Sequence, residues 1–260
     1  MTAYSDIGVD TSGHIGTIEI RRPPNNFFDR DLIQQIAEAA EAFDRDPAIR
    51  AVVLMAQGKN FCAGADFANR PDTGAASEQG GLKKHLYKEG IRLFRTRKPI
   101  VAAVQGAAIG GGLGLALTAD FRVTCPEARF SANFTRLGFH PGFGLTVTLP
   151  RLVGPQKAAL LFYTGRRVAG DEAVAMGMAD VLVPLEAVRE GAMQFATEIA
   201  QSSPLGVVAT RETLRRGLAD AVEATTEREL VEQDWLRATA DFKEGVKAMA
   251  ERRLPDFKGR

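Results

Sequence analysis

Cysteine is scarce in this sequence: Cys62 and Cys125 are the only two among 260 residues, far apart and without CxxC spacing. That count argues against a secreted disulfide scaffold and for two reduced thiols in a cytosolic protein. Histidine is just as sparse. His14, His85 and His140 are dispersed and no HExxH occurs, so the zinc-hydrolase pattern is missing. GxSxG is also missing, which removes the usual strand-turn-helix serine nucleophile. The glycine-rich turn fails the dinucleotide spacing, because Gly110-x-Gly112 is followed by Leu115 and Gly112-x-Gly114 by Leu117. Neither sign of charge is in excess. Lys plus Arg number 33 against 32 Asp plus Glu, so no basic footprint for nucleic acid is expected. Met1 to Asp10 holds acidic residues and no apolar core of a secretory signal, and a cytoplasmic location is expected. The one long uncharged run, Pro99 to Thr118, contains Gln105 and five glycines. It reads as buried core rather than as a membrane span.

What is present is the composition of a globular chain: 45% hydrophobic and 25% charged residues, with enough length to bury a sizeable core. Ile7 to Ile20 is apolar-rich and broken by Thr11-Ser12-Gly13-His14, which predicts a hairpin. Asp29 is placed to cap a helix whose inner face is Leu32, Ile33, Ile36, Ala39, Ala40 and Phe43. Ala51 to Ala56, Ile100 to Val104 and Phe121 to Thr124 read as strands, the first two as buried parallel ones. A loop is expected from Gln57 to Ala68 and a mobile stretch from Asn69 to Gly81. Leu82, Leu86, Ile91, Leu93 and Phe94 predict a helix ended before Pro99, and another begins over Gly111 to Ala119. From Leu145 the chain reads as mostly helical. Strand-helix alternation followed by helices predicts an α/β core over residues 1–200 and a helical region over 201–260.

Two segments, each just after an expected strand, combine small residues with exposed backbone amides: Cys62-Ala63-Gly64-Ala65-Asp66 and Ile109-Gly110-Gly111-Gly112-Leu113. Small residues let a substrate approach main-chain N–H groups closely. Paired donors of this kind stabilise negative charge developing on a thioester oxygen. A helix start adds its dipole.

These segments, in their order along the chain, resemble the crotonase superfamily, the enoyl-CoA hydratase/isomerase family. Further matching stretches are Lys98-Pro99-Ile100-Val101-Ala102-Ala103-Val104-Gln105-Gly106, Ala119-Asp120-Phe121-Arg122, Ala128-Arg129-Phe130, Leu137-Gly138, Pro141-Gly142-Phe143-Gly144 and Asp241-Phe242-Lys243-Glu244-Gly245-Val246. The resemblance implies a crotonase-type (ClpP/crotonase) α/β spiral of ββα units with a helical C-terminal trimerisation region. It implies an acyl-CoA thioester as substrate, with no further cofactor, since coenzyme A belongs to the substrate, and a place in fatty acid metabolism. It implies a homotrimer or a dimer of trimers, with no membrane or nucleic-acid partner. By motif position the oxyanion donors are the amides of Ala65 and Gly111. Coenzyme A contacts fall on Asn26, Phe27 and Phe28, on Ala63, Ala65, Asp66 and Phe67, and, reaching across a subunit boundary, on Phe257 and Lys258 near the C-terminus.

The sequence departs from the family at the groups that move protons. The two positions where the hydratases carry glutamates are Gly114 and Phe134, and the position where some isomerases carry a carboxylate is Gly142. General acid–base catalysis of that kind contributes about 10²–10⁴-fold. Three readings follow: a relocated base, a reaction needing only enolate stabilisation such as decarboxylation, or an acyl-CoA binder without chemistry. His140, two residues before Gly142, is the candidate relocated base, against the alternative of a histidine bonded to backbone in a tight turn. His85, Tyr87 and Glu89 lie on a helix expected to roof the pocket, and Asp66 can equally hold its own loop. Phe130, Phe134, Phe139 and Phe143 form either an apolar acyl pocket or a plain core cluster.

Overall fold

The computed structural model describes residues 4–67 and 85–260. The expected mobile stretch 69–81 and the first residues of the helix expected from Leu82 lie outside them. The hairpin forms as β1 (Ile7–Ser12) and β2 (Ile15–Ile20), antiparallel with Ile7 opposite Ile20. α1 (Arg30–Arg45) begins at Asp29, whose carboxylate accepts from the Leu32 amide at 3.0 Å. The six apolar positions expected on its inner face are all buried. Its C-terminal carbonyls at Phe43 and Asp46 accept from the Lys98 ammonium, which satisfies groups that a helix end leaves open.

β3 (Ala51–Ala56) and β4 (Ile100–Val104) are buried at every position, which accounts for their uninterrupted apolar sequence. With β6 (Phe121–Thr124) and β9 (Val181–Leu182) they complete a six-stranded sheet in the order β1-β2-β3-β4-β6-β9, parallel from β2 onward. A second, three-stranded sheet has the order β5-β7-β8, from β5 (Ala107–Ile109), β7 (Arg129–Ser131) and β8 (Val168–Ala169). Cys62 extends it through a parallel bridge to Ala108. Each turn of the chain thus places one strand in the large sheet, one short segment in the small sheet, and then a helix. β3, Cys62 and α2 (Leu86–Phe94) make one such unit; β4, β5 and α3 (Gly111–Ala116) make the next. This is the expected spiral of ββα units.

The second sheet is the main feature that the sequence pattern does not announce. Its strands are two or three residues long, too short for alternation to show. α3 is also shorter than the span read from Gly111 to Ala119, and Thr118 closes it by donating its hydroxyl to the Leu115 carbonyl.

Beyond β7, a 3-10 turn (Asn133–Leu137) leads to α4 (Leu145–Val153), α5 (Pro155–Thr164), α6 (Gly170–Ala175) and α7 (Val188–Ala200). The C-terminal helices are α8 (Pro204–Leu214), α9 (Leu218–Arg237) and α10 (Ala240–Ala250). Asp120 ties α8 to the sheet: it accepts from Arg211 at 2.9 Å, Arg215 at 2.8 Å and the Ile100 amide at 2.9 Å. α9 packs against α2 and α4, and α10 against the 3-10 turn. Among the described residues no helix is long and apolar enough to cross a membrane, and Pro99 to Thr118 is the strand-turn-helix interior expected of it.

Candidate active site

The two glycine-containing segments meet because the small sheet pairs them. Cys62 donates to the Ala107 carbonyl and accepts from the Ile109 amide, at 2.8 and 3.1 Å. After this bridge the chain turns at Gly64, whose φ of +84° favours glycine. A methyl group there would also sit 2.7 Å from the Ile109 carbonyl oxygen and 3.9 Å from the Gly111 nitrogen. Gly112 lies so close behind that a Cβ on it would overlap the Cys62 carbonyl. The main chains of the two segments therefore touch, and Ala65 and Gly111 line one cavity. Among the described residues neither the Ala65 nor the Gly111 amide donates to a protein acceptor. The Cys62 thiol beneath them is fully buried, and desolvation pushes it up to about 12, so it stays a neutral packing group.

The remaining walls are mostly apolar, with Phe28, Phe67, Leu86, Phe134, Phe139 and Met249 prominent among them. Tyr87, Asn133 and Arg237 are its polar side chains among the described lining residues, and none of those residues is Asp, Glu or His. The Tyr87 hydroxyl shares hydrogen bonds with Gln233 at 3.1 and 3.2 Å, and burial raises its pKa, so it is a donor at neutral pH. No group of three or more His, Cys, Asp or Glu among the described residues is placed to hold a metal ion.

The sequence model of the enoyl-CoA hydratase/isomerase family matches residues 10–260. The chain belongs to this family. It is 32% identical over 259 residues to a crotonyl-CoA hydratase of Syntrophomonas wolfei, covering 98% of each chain. It is 31% identical over 248 residues to a 1,2-epoxyphenylacetyl-CoA isomerase of Escherichia coli, covering 94% and 95%. A crystal structure of an enoyl-CoA hydratase/isomerase from Pseudoalteromonas atlantica superposes with a TM-score of 0.87 at 29% identity, covering 98% of this chain and all of that one.

Of the residues singled out from sequence, Ala63, Ala65, Phe67 and Gly111 are brought together on this cavity. Phe27 and Asp66 line a separate cleft with Arg22 and Asp29, and Phe28 lines both that cleft and the cavity. The expectation that the Asn26 side chain contacts a ligand does not fit its surroundings. It is fully buried, accepts from the Arg22 amide and donates to the carbonyls of Gln57 and Asn60, so it pins the loop that carries Phe27 and Phe28. His140 does not border the cavity. Its carbonyl accepts from Gln233 on the inner side, while its ring faces a separate cleft beside α4 and α5, with Nδ1 2.7 Å from the Pro141 carbonyl. Phe257 and Lys258 lie on a tail folded against α10, where Asp241 accepts from the amides of Lys258 and Gly259; neither lines the cavity or the cleft of its own chain, as is expected of residues that reach a neighbouring subunit's ligand.

Gly114 and Phe134, where the resemblance leads one to expect glutamates, sit in tight packing. A Cβ on Gly114 would lie 2.8 Å from the Cβ of Phe143, and Phe134 is itself a wall. Phe143 holds a φ of +62°, costly for a bulky residue by about 1–3 kcal/mol. Glu229 holds the turn in place, accepting from the amides of Gly144 and Thr146 and from the Thr146 hydroxyl, at 2.8, 3.1 and 2.6 Å. At Gly142 a Cβ would overlap the Tyr87 hydroxyl. Of the four phenylalanines expected to shape an acyl pocket, Phe134 and Phe139 line the cavity. Phe130 is core, and Phe143 packs behind, against Phe28 and Tyr87.

Arg237, Met249 and Asn133 were not legible as site residues. Arg237 did carry a signal. Leu218, Val222, Thr226, Glu229 or Leu230, and Gln233 form the buried stripe of α9, and the next position at that spacing is 237.

Proposed function

We propose that the chain binds an acyl-CoA thioester and stabilises its enolate between the amides of Ala65 and Gly111, in a reaction other than two-glutamate hydration. The observation that supports this reading is that Ala65 and Gly111 line one cavity whose described polar side chains are a phenol, an amide and a guanidinium. Every ionisable side chain in that set is a donor at neutral pH, a field suited to holding negative charge rather than to removing a proton. Each oxyanion donor of this type is worth about 2.7–4 kcal/mol of barrier.

A route to the enolate that needs no base is decarboxylation. The bond from the α-carbon to a carboxylate breaks, CO₂ leaves, and its electron pair becomes the thioester enolate held by the two amides. A proton from solvent or from the Tyr87 hydroxyl then adds at the α-carbon, and in the second case water restores the phenol. That no Asp, Glu or His is among the described lining residues also supports a second reading, a binder of acyl-CoA without turnover.

The test is isotope-edited infrared spectroscopy of a bound, carbonyl-labelled thioester, with mass spectrometry of a panel including crotonyl-CoA and malonyl-CoA. The expected result is a carbonyl stretch shifted to lower frequency and no water addition to crotonyl-CoA. An unshifted carbonyl removes the oxyanion reading, and rapid hydration of crotonyl-CoA removes the claim about mechanism. Binding of every ester with a shifted carbonyl and no turnover selects the second reading.

A further inference from the structure

We infer that the Tyr87 hydroxyl is the group that returns a proton to the enolate carbon, and that Gln233 is the residue that positions it. This rests on the enolate and decarboxylation reading above and assigns the proton which that route needs.

Tyr87 lines the cavity together with Ala65 and Gly111. Its hydroxyl stands where a side chain on residue 142 would begin. A Cβ built on Gly142 would overlap both the phenol oxygen and the Gln233 amide nitrogen. Gly142 is the position where, by the resemblance, some family isomerases carry a carboxylate. The phenol and the amide therefore fill the place of a proton-handling group, supplied here by α2 and α9 rather than by the turn.

Gln233 is fully buried. Packing alone does not call for an amide at such a position, because its desolvation is costly unless it is hydrogen-bonded. The direction of the amide follows from its neighbours. The His140 carbonyl can only accept, so the atom 2.9 Å from it is the nitrogen. That nitrogen also donates to the Tyr87 oxygen at 3.1 Å, and the amide oxygen lies 3.2 Å from the same hydroxyl. The phenol oxygen thus keeps one incoming hydrogen bond whichever way its own proton points. Burial raises the pKa of the phenol and keeps it protonated at neutral pH, while the Gln233 hydrogen bond acts the other way by stabilising the anion.

In the step itself the Tyr87 O–H bond breaks, and a C–H bond forms at the α-carbon with the electron pair of the enolate double bond. The thioester carbonyl is restored, and the Gln233 N–H holds the phenolate. A solvent water then reprotonates the phenolate, and the hydroxide passes to solvent.

The experiment is decarboxylation of methylmalonyl-CoA by the whole protein in deuterium oxide. The methyl group makes the deuterated α-carbon of the propionyl-CoA product a stereocentre, whose configuration is read by NMR of a chiral derivative. A positioned acid outruns solvent by about 10²–10⁴-fold, so one configuration is expected. Tyr87→Phe should give both configurations in near-equal amounts, and Gln233→Met should give a mixture, while free coenzyme A binds both variants as before. A merely structural role would not move the configuration of the product. If the Phe variant does not fold, the Met variant decides, because it leaves the phenol without the hydrogen bond that holds it. Both configurations from the unmodified protein, or one configuration that survives Tyr87→Phe, overturns the inference. One configuration that survives Gln233→Met overturns the positioning role. No turnover of methylmalonyl-CoA, with the carbonyl of the bound ester still shifted, overturns this inference alone. Failure of every ester to bind at millimolar concentration overturns the acyl-thioester reading as well.

Discussion

At the scale of single residues, the site depends on side chains that are missing. Gly112 brings the start of α3 against the Cys62 carbonyl, and this close approach is expected to set the spacing between the Ala65 and Gly111 amides. Because the atom opposite is backbone, it cannot rotate away from an added methyl. Gly112→Ala is expected to lower stability by about 1–3 kcal/mol, as overpacking does. It should also weaken acyl-CoA binding more than the stability loss explains. Urea denaturation and calorimetry on the same preparation check both, and an unchanged ester affinity would show that the spacing is not set here. The motif Ala119-Asp120-Phe121-Arg122 belongs to the same scale but to another role. Its Arg122 is buried and donates to the carbonyls of Met178, Ala119 and Asp120, so the run is scaffold.

At the scale of elements, α9 organises the far side of the cavity. Along one face it presents Glu229 to the Gly144 turn, Gln233 to Tyr87 and Arg237 to the three phenylalanines. Burial pushes the Glu229 carboxyl up to about 7, while the hydrogen bonds from Thr146 and Gly144 pull it down. A carboxyl whose pKa is raised on folding binds its proton more tightly in the native state. Its contribution to stability is fully present below the unfolded value of about 4.3 and is lost as pH rises through about 7. Stability should therefore fall between pH 5 and pH 8, by on the order of 2 kcal/mol from this group. Glu229→Gln mimics the protonated form and should flatten that dependence. Denaturant titrations at the two pH values check it, and a variant with the unmodified protein's slope would assign the effect elsewhere.

At the scale of the whole molecule, Asp120 is one of the polar ties that hold the C-terminal helices to the strand spiral. It receives two guanidinium groups from the α8 region and one strand amide, with Arg211 and Asp120 both largely buried. Arg211 and Arg215 both hold Asp120 below its usual range, against the desolvation that raises it. Asp120→Ala leaves two guanidinium groups near the sheet without this carboxylate and is expected to cost about 3–5 kcal/mol. The loss should appear as a lower melting temperature. Hydrogen exchange should increase first in α8, and exchange that rises uniformly over the chain would contradict a local tie.

Much of this architecture was legible along the chain. The hairpin, the capped first helix and the three longer strands follow from local rules: alternation, uninterrupted apolar runs and a capping aspartate. Those rules act over a few residues, so one sequence suffices to read them. The family and its two amide-bearing turns were legible for the same reason, as ordered short motifs. Tertiary structure alone decided which side chains reach the cavity. His140, near Gly142 in sequence, turns outward because its carbonyl is held from within by Gln233. Arg237, more than a hundred residues after Gly111, turns inward because three rings from separate segments converge on it. Side-chain direction depends on contacts between distant segments, and those contacts exist only once the chain has folded.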